Sequence, residues 1–245
     1  MKRLTGLRSF AVLLLTLASF SSAFAQSEKK AVYGLLLDNT GSLETQFSQI
    51  KVVGKKVVMH ARQRGLISLF DFMTKRDGKN LLAVAKPGVE WSRDENVLND
   101  YIDGIQAVQG HTALIEAIQV MAKELNAKAD TDKESFGDKI IILITDGEDR
   151  IRWAKSVVRS RVDDDDARRK VERQLVKSLK ESAVKVYAVG FTSELDADGG
   201  LMRKSDRETA ETFLKKITKE TGGRAVFFKP GKTDIESVLN ELLTR

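Results

Sequence analysis

Two aspartates, Asp38 and Asp146, each stand at the end of a long apolar run, the second after Thr145, and each has hydroxyl residues and glycine close by. The first sits in Asp38-Asn39-Thr40-Gly41-Ser42 and the second in Thr145-Asp146-Gly147-Glu148-Asp149. Between them in the chain, at the start of a helical pattern, lies Gly110-His111-Thr112-Ala113-Leu114. Together the three segments offer the two aspartates that end apolar runs, and hydroxyls beside them. Hard divalent cations such as Mg²⁺ prefer such all-oxygen donors, with six positions at roughly 2.0–2.1 Å. Two aspartates neutralise a divalent ion, and hydroxyls fill further positions without adding charge. An ion held this way keeps its electrophilicity and a displaceable water, whereas four or five acids would repel an acidic partner.

The elements around these segments must bring them together. Ala31 to Leu37 is a continuous apolar run and reads as a strand covered on both faces. Lys139 to Thr145 is the strongest strand pattern in the chain and ends at Asp146. Phe47, Ile50, Val53, Val57, Val58 and Ala61 recur at helical spacing and predict an amphipathic helix. Leu66 to Met73 and Leu81 to Ala85 read as strands joined by a short turn around Asp77-Gly78. So short a link cannot make a parallel crossover, so the pair forms a hairpin and puts an antiparallel strand at the sheet edge. A loop with Pro87 and Gly88 then leads to a helix at Glu95 to Ile105. Ala113, Leu114, Ala117, Ile118, Met121 and Leu125 mark another helix, and Val171, Leu175 and Leu179 the inner edge of a highly charged one. Val184 to Val189 is a fifth strand. Thr209 to Thr221 is a helix closed by Gly222-Gly223, Val226 to Phe228 a sixth strand, and Ile235 to Leu242 a last helix. The stretch Arg150 to Asp166 reads as a surface insertion. This alternation predicts one α/β domain with a mostly parallel sheet between helices. Ligands of such sheets bind beyond the carboxyl ends of the strands, where the strand order reverses.

At this point the motifs resemble a known family. Asp38-x-Thr40-x-Ser42, Thr112 in Gly-x-Thr-Ala-Leu and Asp146 in Thr-Asp-Gly resemble the metal-ion-dependent adhesion site of von Willebrand factor type A domains, in order and in spacing. The resemblance covers residues 31 to 243. It implies a Rossmann-like three-layer sandwich with one antiparallel edge strand, in agreement with the hairpin. It further implies that Thr40, Ser42 and Thr112 bind metal through their hydroxyls, and that Asp38 and Asp146 bind it directly or through water. The sixth position would accept the Asp or Glu of a protein partner. Mg²⁺ is the expected ion, with Mn²⁺ or Ca²⁺ as substitutes, and Asn39, Gly110, His111 and Glu148 are expected on the rim where the ligand lands. Thr40 departs from the family, which most often has serine there; the hydroxyl is kept and a methyl added.

The resemblance implies an adhesion-type protein-binding module rather than an enzyme. Three other readings compete with it. In one, the ion activates water for hydrolysis with His111 as general base. In another, the domain is a scaffold whose metal site is unused. In the third, Asp38 and Ser42 cap the first helix and Asp146 starts a turn.

Other motifs fail on spacing or context. Asn39 interrupts the Asp-Thr-Gly-Ser of aspartic proteases, whose all-β pattern is also absent. Gly231-Lys232-Thr233 lacks the upstream glycine of a phosphate loop, since Val226 stands there. Glu194-x-Asp196-x-Asp198-Gly199 opens like a calcium loop but has Ser205 where the closing glutamate belongs. Asp163 to Asp166 read as the acidic approach to a helix, and Arg168, Arg169, Lys170 and Arg173 as its exposed side. His60 is a helix residue, and Trp91 and Trp153 read as packing residues.

The first 25 residues stand apart from this domain. Lys2, Arg3 and Arg8 precede the apolar run Phe10 to Phe20, and Ala23-Phe24-Ala25 supplies the small residues that signal peptidase needs. The expected domains are therefore a signal peptide at 1–25 and the α/β domain at 26–245, in a protein that is periplasmic or secreted. Cleavage removes three cations and no acid, which lowers the net charge of the 245-residue chain from +6 to about +3. An exported chain of such mixed charge is a poor nucleic-acid binder, and no membrane span is expected after cleavage. With no cysteine in the sequence, the core must hold the fold without disulfides.

Overall fold

The structure is a computed structural model. It describes residues 30–77, 80–108, 113–131, 136–147, 161–192, 204–229 and 234–243. Six strands form one sheet: β1 (Lys30–Asp38), β2 (Gly65–Asp77), β3 (Asn80–Ser92), β4 (Phe136–Thr145), β5 (Val184–Gly190) and β6 (Ala225–Phe227). Their spatial order is β3-β2-β1-β4-β5-β6. β1 pairs in parallel with both β2 and β4, so the chain leaves β1 first to one side of the sheet and later to the other. The crevice between the carboxyl ends of β1 and β4 is thus the topological switch point. Only β3, at the edge, runs antiparallel to its neighbour.

Helices cover both faces, as the sequence predicts. β1 shows why its apolar run has no polar face: alternate side chains feed two separate cores. Tyr33, Leu35 and Leu37 meet α1 (Phe47–Arg64), α2 (Glu95–Gly104) and α6 (Ile235–Leu243). Val32 and Leu36 meet α3 (Leu114–Thr131), α4 (Arg161–Glu181) and α5 (Lys204–Thr221). Each fully buried Leu contributes about 1.5–3 kcal/mol, so burial on both faces anchors this strand firmly. On the second face Gly34 lets α3 come close. A β-carbon there would lie 2.3 Å from Met121 Sδ.

Three sequence expectations need correction. Pro87 and Gly88 are not in a loop but inside β3, which runs to Ser92 with register shifts opposite Ile67, Leu69 and Phe70. An edge strand tolerates proline because its missing N–H leaves no gap in the ladder. The expected surface insertion ends earlier than Asp166, since α4 begins at Arg161. Asp163 to Asp166 therefore lie within the first turns of that helix rather than before it. The expected signal peptide at 1–25, Trp153, the 194–199 turn and Gly231-Lys232-Thr233 lie outside the described residues.

Candidate metal centre

Parallel pairing of β1 with β4 matches Leu37 to Ile144, so the next residues along, Asp38 and Thr145, are neighbours at the switch point. The Thr145 hydroxyl donates to Asp38 Oδ2 at 2.6 Å and accepts the Gly147 N–H at 3.0 Å. On the other oxygen, Asp38 Oδ1 accepts the Thr40 N–H at 3.1 Å and the Thr40 hydroxyl at 2.7 Å. Thr40 Oγ1 lies 3.2 Å from Ser42 Oγ, and Ser42 Oγ donates to Asp146 Oδ2 at 2.6 Å. The result is a chain of oxygens running Asp38, Thr40, Ser42, Asp146. Gly147, with φ +79, takes the left-handed conformation that turns the backbone just after Asp146.

Depth is graded along this chain. Asp38, Thr40, Thr145 and Asp146 are buried, whereas Ser42 is exposed and marks the mouth. Burial pushes the Asp38 carboxyl up to about 8, the nearby charge of Asp146 adds to that rise, and the hydroxyls of Thr145 and Thr40 oppose it. Two buried carboxylates that repel each other make an electrostatic debt that a divalent cation would cancel. The donors fit such an ion: all are oxygen, two are acidic, and the others are neutral hydroxyls. Among the described residues no three or more His, Cys, Asp or Glu gather into a metal cluster.

Of the helix-capping alternative, the bonds keep only a short-range one from Asp38, whose Oδ1 accepts the Thr40 N–H. Neither the 3₁₀ turn at Gly41–Gln46 nor α1 has a side-chain cap, and the Ser42 hydroxyl is directed to Asp146. The structure thus brings Asp38, Thr40, Ser42 and Asp146 together. Gly110, His111, Thr112 and Glu148 lie outside the described residues. The residues next to 109–112 are fixed, however: Val108 N–H donates to the Asn39 carbonyl at 2.8 Å and bridges Thr40, and Ala113 is fully buried. Asn39, expected on the ligand-facing rim, is buried instead, and its amide nitrogen donates to Asp71 Oδ2 at 2.9 Å. Asp71 Oδ1 in turn accepts the Tyr101 hydroxyl.

Sequence reasoning missed Thr145, Asp71 and Tyr101. Thr145 was legible as the hydroxyl residue that ends β4 beside Asp146. Asp71 carried the stronger signal, as a lone acid within the apolar strand Leu66 to Met73.

The family model for the von Willebrand factor type A domain matches residues 34–241. The chain belongs to that family. No curated protein sequence matches it. Among solved structures, the pilus adhesin SpaC from Lactobacillus rhamnosus GG in its open conformation is similar, with 18% identity and a TM-score of 0.59. The match covers 88% of this chain and 30% of the adhesin. A second form of the same adhesin gives 16% identity and a TM-score of 0.58 over the same shares. The manganese-loaded TRAP protein of Plasmodium vivax matches at 15% identity and a TM-score of 0.43, over 78% of this chain and 74% of that one. Likeness at these identities shows the fold alone, and the chain spans less than a third of the adhesin's length. No described helix is long and apolar enough to cross a membrane.

Proposed function

We propose that the domain is an exported, metal-dependent protein-binding module of adhesion type, and not an enzyme. Asp38, Thr40, Ser42, Thr112 and Asp146 hold a divalent ion, Mg²⁺ by preference, and a partner's Asp or Glu completes it. The observation that carries this reading is the oxygen chain from Asp38 through Thr40 and Ser42 to Asp146, closed across the switch point by bonds of 2.7, 3.2 and 2.6 Å. When bound, the ion supplies positive charge and a coordination position for an incoming carboxylate. The protein's residues do the rest. Asp38 and Asp146 form a buried acidic floor, Thr145 orients Asp38, and exposed Ser42 stands where a partner arrives. Membership of the family and likeness to a pilus adhesin's fold support the binding class.

The test is affinity capture from envelope extract by the wild type in Mg²⁺, the wild type in chelator, and Asp146→Ala in Mg²⁺. A partner retained only in the first sample fits the reading. The same partner held equally in all three would remove the ion from the interface.

A further inference from the structure

Asn39 stands between two residues of the metal loop, yet its side chain turns away from them into the protein. It is 3% exposed. Its amide nitrogen donates to Asp71 Oδ2 at 2.9 Å and reaches the Gln106 carbonyl at 3.5 Å, while Oδ1 has no hydrogen-bond partner. A buried amide left half satisfied has its orientation set by the bonds its nitrogen makes. Asp71 is therefore the group that fixes it. β2 places Asp71 beside Leu37 in register, one residue short of Asp38.

Asp71 is itself held. Its second oxygen accepts the hydroxyl of Tyr101, from α2. Burial and the neighbouring Asp71 carboxylate both raise the pKa of that hydroxyl, which keeps it a donor. The Tyr101 ring lies against β3 at Gly88, where a β-carbon would come within 1.7 Å of the ring carbon Cζ. The Asn39 carbonyl, in turn, accepts the Val108 N–H at 2.8 Å, on the segment that leads to Thr112. If Asp71 served only to pair with Tyr101, one of its oxygens would suffice. The other is committed to the residue that separates Asp38 from Thr40.

We propose that Asp71 is a positioning residue for the metal centre. Through Asn39 it sets the spacing of Asp38, Thr40 and Ser42, and keeps the Asn39 backbone where it binds Val108. The inference rests on the metal-binding reading above. Asp71 does not touch the ion; partners one step behind the ligands act by fixing their orientation, and losing one typically costs about 10–100-fold in metal affinity.

Calorimetric titration of MgCl₂ into the wild type, Asp71→Ala and Tyr101→Phe, well below their melting temperatures, tests it. The expected result is a loss of Mg²⁺ affinity of about 10–100-fold in Asp71→Ala, with a smaller loss in Tyr101→Phe, which keeps the ring over Gly88 and removes the anchoring hydroxyl. A purely structural role would lower the melting temperature and leave Mg²⁺ affinity unchanged; that outcome overturns the proposal. Should Asp71→Ala fail to fold, Tyr101→Phe decides alone, and wild-type affinity in that variant overturns it. A wild type that takes up no Mg²⁺ overturns the metal reading and this inference together, whereas a binding wild type with equal variants overturns only the inference.

Discussion

Ser42 Oγ lies 2.6 Å from Asp146 Oδ2, although 104 residues separate them in sequence. The contact exists because β1 and β4 are parallel neighbours whose carboxyl ends reach the same level, so the loop after one strand meets the first residue after the other. Everything expected of the metal centre depends on that meeting.

The first prediction concerns Asp146. A ligand that binds only the folded state stabilises it by mass action, by ~2.7 kcal/mol at about 100 times its Kd. For a domain of this size that is a rise in melting temperature of roughly 5–10 °C. The wild type should show such a rise in Mg²⁺, and Asp146→Ala should lose it, because one of two acidic donors is gone. Scanning calorimetry with and without Mg²⁺ checks this. Equal rises in the two proteins would exclude Asp146 as a ligand.

The second prediction is a pH dependence. The folded protein raises Asp38 from an ordinary 3.8 to about 8, so over that interval the native state binds more protons than the unfolded chain. Stability from this group is therefore fully present below about pH 4 and is lost as pH rises toward 8. An ion that needs ionised carboxylates reverses the trend, so the Mg²⁺-induced rise in melting temperature should grow between pH 5 and 8. In Asp38→Asn the metal-free slope over this window should flatten. An unchanged slope would show that another group governs it.

The third prediction tests the platform beneath the site. Gly34→Ala pushes a methyl group to within 2.3 Å of Met121 Sδ and 2.4 Å of Met121 Cγ. Because Cγ is near the root of the side chain, Met121 cannot simply swing its tip aside. Overpacking of this kind costs about 1–3 kcal/mol. Combined with Met121→Ala, the loss should be smaller than the sum of the two single losses, since the residues share one space. Strict additivity in urea unfolding would mean that the two positions do not press on each other.

Much of this fold can be read from the chain because its central elements are extreme cases. The run 31–37 is apolar without interruption and stops at Asp38, and 140–144 is apolar throughout and reaches Asp146 after one threonine, so strand, burial and site edge are marked by the same residues. The helices α1 and α3 were equally plain, since their buried residues repeat at three and four. β3 was cut short because Pro87 and Gly88 normally break strands. Here one sits at a sheet edge, where its missing N–H is harmless, and the other makes room for Tyr101. The start of α4 was hidden for a different reason: Arg161 to Asp166 offer almost no apolar period to read, and charge at a helix N-terminus leaves no repeat. Asp71 passed as one polar residue in a strand, because its role depends on Asn39 and Tyr101, which lie 32 and 30 residues away. Local spacing cannot report a bond of that kind.

The fourth prediction concerns export. If the basic start, the apolar run and Ala23-Phe24-Ala25 act as a signal peptide, the exported protein should begin at Gln26. Intact mass of the exported protein measures it directly. A product that still carries residues 1 to 25 would sink the signal-peptide reading.

The last prediction separates a working metal contact from an idle one. Thr112 comes from the segment between Val108, which is tied to the metal loop, and Ala113, which is fully buried just before α3. Thr112→Val keeps the shape and removes the hydroxyl, so the metal-free variant should melt within a degree or two of the wild type. Its Mg²⁺ affinity should fall by about tenfold, equivalent to roughly 1.4 kcal/mol, because one neutral donor is lost while both carboxylates remain. Capture of the envelope partner should weaken as it does with chelator. In chelator the substitution should have little further effect, since both changes remove one shared interaction. If Thr112→Val binds Mg²⁺ as the wild type does, the hydroxyl is not a ligand. If it loses Mg²⁺ but holds the partner unchanged, the ion lies outside the interface and the scaffold reading replaces the adhesion-type one.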